Sequence, residues 1–224
     1  MCRLVIARYQ DLMKYDRRYD ALSLFETLET ALGGHGNGIA IVSRTGKVKC
    51  LHKGVEYTCA QAWDDVRYYG KHDDTVIFHT RLRSAGPVSD EACHPYVYDG
   101  LVIAMNGTIR DIAGLANSLG ITDTDAIAQL ISQHARCKDD VVKACNSLPA
   151  VFVGTFNGKP FVAHGAGSPE LHLWTDGWLY ASQFPAGVRA KKVAGTYGKI
   201  GKPYRSLFSY YDSMNDEILF TKPR

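Results

Sequence analysis

The chain opens on an apolar run closed by polar residues. Arg3-Leu4-Val5-Ile6-Ala7-Arg8-Tyr9 has the pattern of a buried strand. A polar stretch, 10–19, follows. Over 21–32, Leu24, Phe25, Leu28, Ala31 and Leu32 fall at helical spacing, and Gly33-Gly34 closes the segment. Gly38-Ile39-Ala40-Ile41-Val42 reads as a buried strand that turns at Arg44-Thr45-Gly46 into 47–52, a hairpin. A short helix is expected over 58–69 and a strand over 75–79. Leu101-Val102-Ile103-Ala104-Met105 is a continuous apolar run ending at Asn106-Gly107. Three helical segments come next: 112–119, ended by Gly120; 124–135; and 139–147, ended before Leu148-Pro149. Strands are then expected over 151–156, 161–164, 171–175 and 178–182, with Asn157-Gly158 and Asp176-Gly177 as hairpin turns. Strands on both sides of a helical block argue for sheets covered by helices, an α/β (α+β) protein, and against a doubly wound parallel fold. There is no internal repeat.

Composition adds limits. The 224 residues suffice for one large or two small domains, and 46% hydrophobic with 22% charged residues is ordinary for a globular protein. A net charge of +3 gives no reason to expect nucleic acid or an acidic membrane surface as partner. No run approaches the length of a membrane span. The cysteines at 2, 50, 59, 93, 137 and 145 show no Cys-x-x-Cys spacing and no tight cluster with His, a weak pattern for zinc. With no signal peptide to read, they are expected as reduced thiols in a cytoplasmic protein. After Val188 the chain is rich in Lys, Arg and Tyr. That segment reads as a docking surface, or as a final strand and helix with a solvated basic face.

Cys2 carries the sharpest chemistry. Once Met1 is removed, one residue offers a thiol and an α-amine that titrate near ~8.5 and ~8. Nucleophile and base are then adjacent, a recognised scheme of covalent catalysis. Further along stand His79-Thr80-Arg81-Leu82-Arg83-Ser84-Ala85-Gly86, His94-Pro95-Tyr96, Met105-Asn106-Gly107-Thr108-Ile109 and Thr122-Asp123-Thr124-Asp125. Taken alone, Asn106-Gly107 reads as a plain turn, Arg81 as a strand charge and Asp123 as a helix N-cap.

In this order and approximate spacing, starting at residue 2, the blocks resemble the class II glutamine amidotransferases, which are N-terminal-nucleophile hydrolases. The resemblance covers about residues 2–185. It implies a four-layer αββα sandwich of two mainly antiparallel sheets between helical layers. It also implies ammonia release from glutamine through a Cys2 glutamyl thioester. Asn106 and Gly107 match the family's oxyanion pair. Arg81 matches the Arg that clamps the α-carboxylate, and Asp123 the partner of the α-ammonium. Ser84 and His94 match further substrate-pocket positions. No metal or organic cofactor is implied.

The sequence also departs from the family. Met105 stands where a His is usual, Leu82 where an aromatic is usual, and the glycine-rich segment 33–38 replaces a stretch that carries an Arg. The division expected is a glutaminase domain over 1–185 and an extension packed on it over 186–224. Too little chain remains after 185 for the synthase domain usual in the family. A separate synthetase or transferase is therefore the expected ammonia acceptor. The alternatives are a free-standing amidase acting on another γ-glutamyl compound, and a non-catalytic binding subunit. A homo-oligomer is compatible with all three.

Overall fold

A computed structural model describes residues 2–194. The order of elements is β1 (Arg3–Arg8), α1 (Tyr9–Tyr19), α2 (Ala21–Leu32), β2 (Asn37–Val42), β3 (Val48–Gly54), α3 (Cys59–Tyr69), β4 (Thr75–Thr80), β5 (Tyr96–Tyr98), β6 (Leu101–Asn106), α4 (Arg110–Leu119), α5 (Asp123–His134), α6 (Lys138–Asn146), β7 (Val151–Phe156), β8 (Lys159–His164), β9 (His172–Trp174), β10 (Leu179–Ala181) and β11 (Ala190–Lys192). The bulk of the basic, tyrosine-bearing segment lies outside the described residues.

Seven strands form one sheet in the order β11-β9-β10-β1-β4-β2-β3, and four form a second, β5-β6-β7-β8. Every pairing is antiparallel. The period of two along β1 explains the layering. Leu4 and Ile6 face inward between the sheets, where they meet Val102, Ala104, Val151 and Val153. Val5 and Ala7 face outward under α1–α3 and meet Leu12, Tyr15, Leu24, Phe25 and Trp63. On the outer side of the second sheet, Ile103, Met105 and Phe152 pack beneath Ile112, Ile127, Ile131 and Val141 of α4–α6. This is the αββα sandwich. Its central strands are buried on both faces, which is why β1 and β6 read as continuous apolar runs.

Helix α1 was not legible in the pattern. Its eleven residues are mostly polar, and only Leu12 and Tyr15 are buried, a stripe too thin to register as a period. Tertiary contacts, including the edge-on packing of Tyr15 against Trp174, hold it instead. Asp20 then starts α2, its carboxylate accepting from the backbone N–H groups of Leu22 and Ser23. The three-residue strands β5 and β11 also escaped the pattern, being too short to show alternation. β11 pairs with β9, so the chain to Lys192 belongs to the larger sheet.

Candidate active site

Cys2 sits at the head of β1, in register with the end of β4, where Arg3 pairs with Thr80. It is 5% exposed, and its thiol donates to the Leu82 carbonyl at 3.5 Å. Burial pushes the thiol pKa up. The Leu82 hydrogen bond and the Arg81 charge oppose that rise, and Asp123 adds to it. Two of the four dispersed blocks, 79–86 and 122–125, therefore act on the Cys2 thiol.

Asn106 ends β6 on the facing sheet and is fully buried. Its side-chain Nδ2 donates to Ser182 Oγ at 3.3 Å. The same hydroxyl accepts from Leu4 N at 3.1 Å, while Ser182 N donates to Leu4 O at 3.0 Å. Ser182 thus ties the Asn106 amide to the strand that carries Cys2. It lies 76 residues from Asn106, and no local pattern could have revealed the link. One Nδ2 hydrogen of Asn106 remains for a ligand. Gly107 has φ +149°, and a Cβ there would lie 2.7 Å from Ala150 Cβ. Only glycine lets the chain leave β6 along this path.

Behind this pair stand two buried histidines. His94 stacks on His79 with ring centres 4.0 Å apart. Its Nδ1 accepts from Met105 N at 3.4 Å, and His79 Nε2 donates to Met105 O at 3.1 Å. Together they grip the residue before Asn106 from both backbone polar groups. Burial lowers the His79 pKa to about 3. It also lowers that of His94 well below its ordinary value, with repulsion from His79 adding to the effect. Both rings are neutral at pH 7. The hydrogen bonds and stacking of His94 are to protein groups, the geometry of a positioning residue.

The remaining expected residues sit on loops and helix ends. Arg81 follows β4 and is 2% exposed. Its Nη1 donates to Pro87 O at 2.7 Å and its Nη2 to Ala85 O at 2.8 Å. The guanidinium therefore braces the 84–87 turn from inside. Gly86 N is held by Asn117 Oδ1 at 2.7 Å on α4. Each terminal nitrogen of Arg81 keeps one further hydrogen for a ligand. Ser84 lies exposed on the same turn.

Asp123 is the first residue of α5, and the N-cap is Thr122. Asp123 Oδ2 accepts from Ile109 N at 2.8 Å, and Oδ1 from Thr124 N at 2.9 Å. Its carboxylate thus anchors the segment that leaves Asn106-Gly107. Burial raises its pKa, while the two N–H donors and Arg81 oppose the rise. Lys53, unremarked in the sequence, spans to the carbonyls of Glu91 and Cys93 at 3.0 and 2.7 Å and fixes the approach to His94. A cleft of about 370 Å³ lies beside these loops, lined by residues including Pro87, Tyr96, Ile121, Thr122 and Asp125.

A buried thiol at the head of a strand in one sheet, with a braced amide ending a strand of the other, is an arrangement like that of the N-terminal-nucleophile hydrolases. In sequence and fold the chain is similar to the class II glutamine amidotransferases among them. The sequence is 28% identical over 149 residues to glutamine–fructose-6-phosphate aminotransferase (isomerizing) of Salmonella typhi, covering 59% of this chain and 24% of that protein. The protein of the same name from Xylella fastidiosa is 30% identical over 133 residues, 52% of this chain and 22% of the relative. The chain therefore spans about a quarter of the length of these curated relatives. No protein-family model matches. In fold it is similar to Bacillus subtilis glutamine phosphoribosylpyrophosphate amidotransferase, with a TM-score of 0.54 at 17% identity, over 81% of this chain and 42% of that one. Among the described residues no helix is long and apolar enough to cross a membrane.

Proposed function

We propose that this chain is a glutaminase-type amidotransferase domain that releases ammonia from glutamine through a Cys2 glutamyl thioester. The observation that carries the reading is the Ser182 bridge, which places the Asn106 amide beside the strand headed by the Cys2 thiol. In the proposed mechanism Met1 is removed. The free α-amine of Cys2, directly or through a water, takes the thiol proton. That assistance is needed, because burial favours the protonated thiol. The thiolate attacks the side-chain amide carbon. The Asn106 amide and the backbone N–H of Gly107 hold the oxyanion, and the proton passes to the departing ammonia. Water then attacks the thioester and frees glutamate. Arg81 takes the α-carboxylate with its remaining hydrogens, Asp123 the α-ammonium, and Ser84 contributes to the head-group pocket. His94 works from behind by holding Met105 and hence Asn106. No step calls on a metal or organic cofactor.

The ammonia passes to an acceptor, either a further domain or a separate synthetase or transferase. The glutaminase unit covers residues 1–185 with β11 added to its larger sheet, and the rest of the 186–224 extension, from 195 on, lies outside the described residues. The site of action is the cytoplasm.

The test is direct. Intact mass of active protein should show loss of Met1. A diazoketone analogue of glutamine should label Cys2 stoichiometrically and abolish turnover. Cys2→Ser should stay folded and lose at least about 10³-fold in glutaminase rate, the scale seen when a covalent nucleophile is removed. Full activity in Cys2→Ser sinks the mechanism. Fast turnover of another γ-glutamyl amide, with glutamine a poor substrate, makes the chain an amidase instead.

A further inference from the structure

One buried cysteine outside the active site is not isolated. β3 is an edge strand of the large sheet, and its period of two turns Cys50 and His52 to the same face. α3 packs over that face and contributes Asp65. One donor atom from each of Cys50, His52 and Asp65 lies within 4.8 Å of the others. Among the described residues this is the one such grouping of three. Linear spacing alone gives only a weak pattern for zinc. Here the third donor comes from a helix, and only the packing of α3 supplies it.

We propose that Cys50, His52 and Asp65 bind a zinc ion, with water in the fourth position and Tyr57 as hydrogen-bond donor to the ligating carboxylate. The donor set argues for zinc. A thiolate and an imidazole suit a borderline-soft ion, whereas magnesium and calcium take oxygen donors. Tetrahedral zinc at ordinary bond lengths holds its donors roughly 3.4–3.6 Å apart. His52 Nδ1 and Asp65 Oδ2 stand 2.7 Å apart and need to open slightly, while the Cys50 thiol closes in. Both are side-chain rotations. Binding expels the Cys50 thiol proton to solvent, and the His52 imidazole takes the tautomer with its proton on Nε2, which frees Nδ1 to ligate.

The surroundings already have the form that supports ligands. The Tyr57 hydroxyl donates to Asp65 Oδ2. The rings of Tyr57 and Tyr69 stand edge-on to His52, each 6.2 Å away, and limit its rotation. Such outer partners orient a ligating carboxylate and imidazole. The His52 side chain is 52% exposed, so the ion can enter from solvent. The Cys50 thiol is itself hydrogen-bonded to the Asp65 carboxylate, so the three donors already converge on one point, held there by protons that a metal ion would replace. β2 and β4 separate β3 from β1, placing the ion about 14 Å or more across the sheet from the strand of Cys2. Its role is to pin the edge strand to α3, and it does not depend on the glutaminase reading.

The test uses the full chain in a Cys2→Ser background, stripped with chelator, so that the proposed nucleophile cannot bind metal. Calorimetric titration should show one equivalent of zinc. Cobalt(II) should give tetrahedral visible bands with a thiolate charge-transfer band in the near ultraviolet. His52→Ala, at an exposed side chain, should keep its circular dichroism and lose stoichiometric binding. Cys50→Ser should lose the charge-transfer band. Tyr57→Phe should weaken binding about 10-fold. Cys137→Ser, at an exposed cysteine elsewhere, should change nothing. Absence of binding to the parent overturns the proposal. So does a full equivalent that survives both His52→Ala and Cys50→Ser.

Discussion

The two halves of the candidate active site are built differently. The half that would do chemistry is borne on strands. Cys2 heads β1, Asn106 ends β6, and Ser182, His79 and His94 lock them through five hydrogen bonds and a ring stack. The half that would recognise substrate is borne on a turn and a helix end. Its cation, Arg81, is engaged by carbonyls of its own loop, and Ser84 is exposed. The difference follows from what each task needs. An oxyanion donor must already be in place when charge develops, so it gains from over-determined strands. A head-group pocket must admit and release its ligand, and it gains from a turn whose bracing bonds can be exchanged.

Removing parts of each half sharpens the comparison. The largest effect is expected from Asn106→Ala, which should lower kcat about 10²–10³-fold with little change in KM. A rise in KM alone would move Asn106 to the recognition half. Arg81→Lys keeps the charge but loses the planar fork, so KM for glutamine should rise about 10–100-fold with kcat largely kept. A fall in kcat at constant KM would show that Arg81 serves the chemical half through its loop. Ser182→Ala leaves the Leu4 N–H and the Asn106 amide without their shared acceptor. Such a loss costs about 1–3 kcal/mol of stability, read from the urea midpoint, and kcat should fall with unchanged KM. An unaltered kcat would make Ser182 a packing residue only.

The broadest test is pH. In the unfolded chain His79 takes a proton below its ordinary pKa of 6.5, and in the folded chain only near 3. The stability it contributes is therefore whole above 6.5 and is lost progressively as pH falls toward 3, at most about 5 kcal/mol for this one group. Unfolding free energy measured between pH 7 and 4 should decline on this side. His79→Phe should be less stable at pH 7 and should flatten the slope by about one proton's worth. An unchanged slope would place the acid sensitivity elsewhere.

Much of this protein was legible along the chain. Continuous apolar runs marked β1, β2, β6 and β7, because a strand covered on both faces needs apolar residues at every position. Glycines, caps and turn pairs bounded most helices and hairpins, because those ends depend on local backbone chemistry. The ordered motif blocks singled out candidates for a nucleophile, an oxyanion pair and a head-group clamp. Contacts between distant segments were not legible. α1 is held by packing and not by a strong period of its own. Ser182 acts on Asn106 across 76 residues, and His94 works on the backbone behind the site. Asp65 meets Cys50 and His52 only because α3 lies over the edge of the sheet. Local patterns are set by neighbours along the chain, and the sequence determined those. The partner of a buried polar atom is chosen by whatever the folded chain brings within about 3 Å, and only the tertiary structure decided that.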